Sequence, residues 1–206
     1  GDAPTVHDQV AGAFNGDLGI TSEPNPFDDC TEHQASCLEH PAGGDPELEP
    51  HLLDRVTVYS QALAVPIRLA WDTDEVLQGK ALFRAIGCDT CHVPSVTTGD
   101  FPALPEMGNQ TIWPYTDLLL HDMGPGLSDQ RPLAEASGSE WKTPPLWGLG
   151  RVPDVNGHTR YLHDGRARNL EEAILWHGGE AALAQQLYTE LPADERAALL
   201  SFVESL

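Results

Sequence analysis

The sequence has few basic residues for its length. Its 206 residues include 11 lysines and arginines against 32 aspartates and glutamates, which gives a formal net charge of −21 at pH 7. A surface this acidic repels the phosphates of nucleic acids and anionic lipids. We therefore expect no nucleic-acid partner, and we expect that a protein partner is basic.

Long hydrophobic runs are also missing. No apolar stretch approaches the roughly 20 residues that span a bilayer, so we expect no membrane-spanning segment. Residues Gly1 to Thr5 lack the basic and apolar regions of a signal peptide, and we expect a mature or excised chain. The hydrophobic content of 40% nevertheless supports a folded core, and the 19 glycines and 17 prolines predict long irregular connections between a few helices.

Cysteine is scarce, but two of the four cysteines form an informative motif. Cys88-Asp89-Thr90-Cys91-His92 matches C-x-x-C-H, the signature of covalent haem attachment. Two thiols one helical turn apart can add to the two vinyl groups of one porphyrin, and the next imidazole then lies under the iron. The sequence predicts one covalent haem c, attached at Cys88 and Cys91, with His92 as an iron ligand.

A thioredoxin-like redox pair and a zinc site are the alternatives for this motif. A redox pair would follow a strand, but the residues before Cys88 have the pattern of a helix. A zinc site needs four ligands, and the spacing of Cys30 and Cys37 does not resemble a zinc knuckle. Both alternatives are therefore less favoured than haem.

The other two cysteines point to an oxidising compartment. Haem c is attached outside the cytoplasm, so we expect a periplasmic or extracellular location in a bacterium. There Cys30 and Cys37 are expected to form a disulfide that closes a short loop. Two separate buried thiols are the alternative.

The pattern along the chain predicts two parts, a polar arm with the disulfide loop (1–50) and a c-type haem domain (51–206). Apolar spacing and capping residues predict helices over 52–63, 73–87, 170–177 and from 192 to the end. The stretch 93–160 is mostly loop. We expect a mainly α, cytochrome c-like fold of four or five helices, with long Gly/Pro-rich loops and at most a short hairpin.

The iron needs an axial ligand opposite His92. Leu170, Ala173 and Ile174 precede His177 at helical spacing, which places His177 on the apolar face of its helix. We predict that His177 is this ligand; a core histidine bonded to a backbone carbonyl is the alternative. Met123 is the alternative ligand, because c-type cytochromes often use a thioether. The remaining candidates are Met107, His33, His40, His51, His121, His158 and His163.

Four motifs occur in order along the chain: Cys88 to His92, Tyr115 to Gly124, Glu140 to Gly150 and Leu162 to Ala181. Together they resemble the C-terminal haem domain of bacterial di-haem oxidoreductases, the group often labelled thiol oxidoreductase-like. That group is related to bacterial di-haem cytochrome c peroxidases and to the di-haem enzyme of methylamine utilisation. The similarity runs from about Val6 to the C-terminus.

The resemblance implies a ligand set. In the peroxidase relatives, the axial Met of the electron-transfer haem follows the His of a Tyr-Phe-His-Asp-Gly turn by fourteen residues. The same count from His163 reaches His177, which implies a bis-His haem with His163 near it but not a ligand. By the same alignment, His121 and Met123 fall on a segment that does not ligate iron.

One departure limits what the resemblance implies. The relatives have two haem domains, whereas this sequence contains a single C-x-x-C-H. We expect electron transfer through one haem, with a redox partner that is basic or is a second haem domain or subunit. The alternative is the electron-feeding half of a di-haem peroxidase or oxidase, whose catalytic haem lies in a missing N-terminal half or a partner subunit. No catalytic residue is assigned, and peroxidase activity is not expected of this chain alone.

Other polar and aromatic residues have two interpretations each. Three arginines could pair with haem propionates or be solvated, and four tryptophans could line the porphyrin or simply pack in the core. Asp28 and Asp29 could bind calcium, as related enzymes do between their domains, but a solvated charge run is favoured. These arginines and tryptophans are Arg160, Arg166, Arg168, Trp113, Trp141, Trp147 and Trp176.

Overall fold

The computed structural model describes residues 3–206, so residues 1 and 2 of the predicted arm lie outside it. The chain divides into two compact units, an N-terminal unit (Gly1–Ala64) and a C-terminal unit (Val65–Leu206). The described residues form eight α-helices and four short strands. The mainly α class is therefore confirmed, although there are more helices than the four or five predicted.

The N-terminal unit contains three helices. They are α1 (Val6–Leu18), α2 (Ala35–Leu38) and α3 (Pro50–Gln61). Thr5 begins α1, because its hydroxyl accepts a hydrogen bond from the Asp8 backbone N–H at 3.1 Å. The expectation of an irregular arm is wrong for this helix, which packs against α3.

The disulfide between Cys30 and Cys37 is present, with 5.9 Å between the Cα atoms. It lies in the long connection between α1 and α3. A second tie in this connection is Glu47, whose carboxylate accepts the backbone N–H groups of Thr21 at 3.0 Å and Gly43 at 2.7 Å. These two ties order a segment that has little regular structure.

The C-terminal unit contains five helices. They are α4 (Asp74–Ala85), α5 (Val152–Asn156), α6 (Leu170–Leu175), α7 (Ala182–Glu190) and α8 (Ala193–Glu204). Helices α4 and α6 both have side-chain N-caps: Thr73 accepts from the Val76 N–H, and Asn169 accepts from the Glu172 N–H. Helices α3, α4, α6 and α8 correspond to the four predicted ones.

Four strands form two antiparallel pairs where at most one hairpin was expected. β1 (Val96–Thr97) pairs with β2 (Thr111–Ile112), and β3 (Leu120–Asp122) pairs with β4 (Glu140–Lys142). In the second pair, His121 lies opposite Trp141. The loop between β3 and β4 is long, so this pairing could not be read from a turn motif.

The core of the C-terminal unit centres on the contact between α4 and α8. Phe83 of α4, Phe202 of α8 and Tyr115 pack edge to face, with ring centroids 5.3 to 6.0 Å apart. All three side chains are buried. Aromatic pairs of this kind stabilise a core beyond the area that they bury. This cluster fixes the C-terminal end of α4, which lies directly before the C-x-x-C-H motif.

None of the helices in the part of the chain that the structure describes is long and apolar enough to cross a membrane.

Candidate haem site

The C-x-x-C-H motif lies directly after α4. Gly87 ends this helix in a left-handed conformation, with φ of 85°, and Cys88 to Thr90 form a single 3₁₀ turn. Glycine suits this position because a Cβ atom disfavours positive φ. The thiols of Cys88 and Cys91 are free and half-buried, and burial raises the pKa of Cys88 to about 12. Burial also raises the pKa of Cys91. Both thiols are therefore protonated at neutral pH.

His92 is oriented by a backbone carbonyl. Its Nδ1 lies 3.0 Å from the carbonyl oxygen of Tyr115, so the Nδ1–H donates and the Nε2 is the free nitrogen. Tyr115 is buried in the aromatic cluster, and the ring of Phe83 lies 6.2 Å from the imidazole. Burial lowers the pKa of His92 to about 4. The ring is therefore neutral, which is the form that binds a metal.

His177 has the same arrangement on another element. It follows α6, and its Nδ1 lies 2.8 Å from the carbonyl oxygen of Ala173, four residues earlier. Ala173 is buried, as the predicted apolar face requires. Burial also lowers the pKa of His177. This imidazole is likewise neutral, with Nε2 as the free nitrogen.

The two imidazoles are near enough to interact electrostatically, although 85 positions separate them. A charge on His177 adds to the lowering of the His92 pKa by burial. Neither Nε2 has a hydrogen-bond partner among residues 3–206. Metal-bound histidines commonly donate their other N–H to a carbonyl, which fixes the tautomer. Two thiols and two such histidines are the donor set of a covalently attached haem, so these residues fit the group.

His121 lies beside the second thiol. Its Nδ1 is 3.7 Å from the Sγ of Cys91, and its Nε2 is 2.8 Å from a carboxylate oxygen of Asp117. Within the described residues, Cys91, Asp117 and His121 form the one cluster whose ligand atoms all lie within 4.8 Å of one another. A thioether at Cys91 would remove the thiol from this cluster. Asp28 and Asp29, the calcium candidates, are not part of it.

The other predicted site residues have partners of their own. His163 stacks on Trp141, with ring centroids 3.6 Å apart and the planes 12° from parallel. Arg166 pairs with Asp164 at 2.7 Å and lies over the ring of Trp176. The propionate and porphyrin-lining roles stay predictions.

Arg168 is also paired, with Glu172 at 2.8 Å. The side chain of the alternative ligand, Met123, makes no hydrogen bond within the described part of the chain, but its backbone lies against Gly178, the residue after His177. It is thus close enough to His177 to stay an alternative.

Sequence reasoning missed the groups that hold the two histidines. The carbonyls of Tyr115 and Ala173 carry no sequence signal as such, and Tyr115 has a positive φ of 55° that its residue type does not predict. It also missed Glu180 as a partner of His121, because 59 positions separate them. Asp117 had a signal, since it precedes His121 by four residues.

A family model described as "di-haem oxidoreductase, putative peroxidase" matches residues 1–206. The chain belongs to the di-haem oxidoreductase family. No curated protein and no solved structure matches it. Membership confirms the family expected from the four motifs and gives this di-haem oxidoreductase a haem-based redox role. The sequence contains one C-x-x-C-H motif.

Proposed function

We propose that this di-haem oxidoreductase chain is a c-type cytochrome, with a cytochrome c-like fold in its C-terminal unit, that transfers electrons through one covalent haem. Cys88 and Cys91 would hold the haem, and His92 and His177 would ligate its iron. The proposed location is the bacterial periplasm or cell exterior. The Cys30–Cys37 disulfide supports an oxidising compartment, because disulfides persist there.

One observation carries the proposal. His92 and His177 each donate the Nδ1–H to a backbone carbonyl and keep the Nε2 free, and the two rings are near enough to interact electrostatically. Both residues are half-buried, and neither Nε2 is a buried atom without a partner. Two neutral imidazoles with accessible Nε2 atoms, together with two thiols, are the donors that a covalently attached haem requires.

The roles of the residues follow from this geometry. A bound haem supplies one-electron chemistry, with a potential that its axial ligands set. The carbonyls of Tyr115 and Ala173 fix the ring orientations and the tautomers, so both nitrogens are ready as donors. Two imidazole ligands would leave the iron no free position for a substrate. The residues therefore support electron transfer rather than peroxide turnover by this chain.

The test uses the protein produced with its haem-attachment machinery. We expect one haem per chain, resistant to acid-acetone extraction, with the low-spin spectrum of two imidazoles. His177→Ala is expected to give high-spin iron, and Met123→Ala to leave the spectrum unchanged. A sulfur-to-iron charge-transfer band in the wild type that Met123→Ala removes would overturn the assignment. So would a haem that solvent extracts.

A second candidate function follows from a difference in the number of haem sites between the family and this sequence. The family is described as di-haem, and the sequence contains one C-x-x-C-H. The chain would then feed electrons to a catalytic haem on another segment or subunit. Native mass and haem content of material from the source cell test this. A second haem in the purified assembly, with peroxide turnover that the isolated chain lacks, favours this alternative.

A further inference from the structure

His121 is held between two carboxylates from distant parts of the chain. Its Nε2 lies 2.8 Å from Asp117 Oδ2, and its Nδ1 lies 3.0 Å from Glu180 Oε2. The side chain of His121 is 16% exposed, and that of Asp117 is 13% exposed. Since carboxylates only accept hydrogen bonds, the ring donates from both nitrogens. His121 is thus an imidazolium between two negative charges, and we call this group the His121 clamp.

The two carboxylates belong to the segments that position the two haem ligands. Asp117 follows Tyr115, whose carbonyl orients His92, by two residues. Glu180 follows His177 by three residues. The clamp therefore connects the segment that orients His92 to the turn that follows His177.

The turn after His177 also lies directly against the end of β3. Glu180 uses its second oxygen to accept the Asp122 backbone N–H at 2.9 Å. A Cβ on Gly179 would lie 2.1 Å from the Asp122 carbonyl oxygen, and one on Gly178 would lie 3.0 Å from that of Met123. Only glycines allow this backbone contact. The position of His177 thus depends on a contact that Glu180 and His121 hold together.

The charges on the clamp reinforce one another. Hydrogen bonds to Glu180 and Asp117 raise the pKa of His121. The hydrogen bond from His121 and the Asp122 N–H lower the pKa of Glu180. Burial raises the pKa of Asp117, but hydrogen bonds from Leu119 and His121 outweigh it, and the net shift is downward. Charge-assisted hydrogen bonds of this kind are about twice as strong as neutral ones.

We propose that Asp117, His121 and Glu180 form a clamp that keeps His177 in place as the sixth haem ligand, so that opening the clamp admits small exogenous ligands to that position. This inference rests on the proposed haem ligation by His92 and His177. His121 and Glu180 are positioning residues, because they act through the turn after His177. The ligands admitted are small anions and neutral nitrogen donors. Their entry exchanges one ligand for another and transfers no electrons.

The experiment measures cyanide binding to the ferric holoprotein. Glu180→Ala is expected to accelerate it roughly ten-fold or more, because a hydrogen bond to a charged group is lost. Glu180→Gln should fall between Glu180→Ala and wild type, since its amide oxygen still accepts one hydrogen bond. Electron paramagnetic resonance should show a matching rise in high-spin iron. These readouts would not change if Glu180 only supported the fold.

The matched control is Glu140→Gln. Glu140 lies on β4 of the same sheet and its carboxylate accepts a backbone N–H from Ser137, but it makes no hydrogen bond to His121 within the described chain. We expect no change in the rate of cyanide binding. His121→Gln is a second clamp variant, and it should resemble Glu180→Ala. Haem content and circular dichroism establish that each variant is folded.

Two results would overturn the inference in distinguishable ways. Rates for Glu180→Ala and His121→Gln within about two-fold of wild type, with a bis-imidazole spectrum in all three, would overturn the clamp alone. A wild-type spectrum without two imidazoles would overturn the proposed function, and the clamp with it.

Discussion

A Cβ on Gly79 would lie 1.9 Å from the carbonyl oxygen of Ala198. Gly79 is buried within α4, and Ala198 is buried within α8, so the backbones of these helices touch at this point. The same hypothetical atom would lie 2.8 Å from the Cβ of Phe202. The lack of a side chain at Gly79 thus allows α4 and α8 to pack at this short distance. Helix α4 precedes the C-x-x-C-H motif, and α8 carries Phe202 of the aromatic cluster.

Gly79→Ala is therefore expected to destabilise the protein. The clash is with backbone, which cannot rotate away, so we expect a loss of about 3 kcal/mol or more in the free energy of unfolding. Urea denaturation measures it. The control is Gly12→Ala in α1, where nothing lies within 4 Å of the added atom; there we expect a gain of roughly 0.5–1 kcal/mol from helix propensity. Equal effects of the two substitutions would contradict the argument.

Local signals in the sequence predicted the helices that matter for the site. Thr73 and Asn169 begin α4 and α6 through hydrogen bonds to residues three positions on. Such contacts are local, so they can be read from a sequence. Helix α1 was missed because its apolar residues lie among polar ones and glycines, and only Ala11 of them is buried.

Contacts between distant residues could not be predicted in this way. The pairing of His121 with Trp141 and the ion pair of His121 with Glu180 depend on the tertiary fold. The sequence pattern places His177 on an apolar face and allows a carbonyl partner for its ring, but it does not name one. His92 and His177 are therefore candidate ligands from local pattern, whereas the Tyr115 carbonyl, 23 positions from His92, is brought to its ring by the fold.

Replacing His177 by methionine should raise the midpoint potential of the haem. A thioether ligand favours the ferrous state more than an imidazole does. Spectroelectrochemical titration measures the shift, and the spectrum should gain the band of methionine ligation. His163→Met is the control, because His163 stacks on Trp141 and is not a proposed ligand. An unchanged potential in a folded, haem-loaded His177→Met protein would refute ligation by His177.

The acidic composition predicts how salt acts on electron exchange. With a net charge of −21, the chain should attract cationic reactants and repel anionic ones. Raising the ionic strength shortens the Debye length to about 8 Å at 0.15 M. Stopped-flow oxidation by ferricyanide should therefore become faster with salt, and oxidation by hexaammineruthenium(III) should become slower. The same response to both oxidants would show that the charge does not act at the haem edge.

The His121 clamp predicts a pH window for ligand exchange. The pKa of His121 is raised from 6.5, so the imidazolium is complete below that value and is lost as the pH rises through the higher folded pKa. The pKa values of Asp117 and Glu180 are lowered from 3.8 and 4.5. Their charges are present above those values and are lost as the pH falls through the lower folded pKa values.

Cyanide binding, corrected for the fraction of cyanide anion, should therefore be slowest between these limits and should accelerate on the alkaline side. The titratable groups around His121 are Asp117 from the preceding loop, Glu180 from the turn after His177, and Cys91 and the neutral His92 of the C-x-x-C-H motif. His121 is the cation of this group. A neutral imidazole keeps one N–H, so loss of the second proton removes one of the two hydrogen bonds to the carboxylates and the positive charge that strengthens the other. The alkaline acceleration should vanish in His121→Gln, which has no such proton. If it persisted there, another group would control the ligand position.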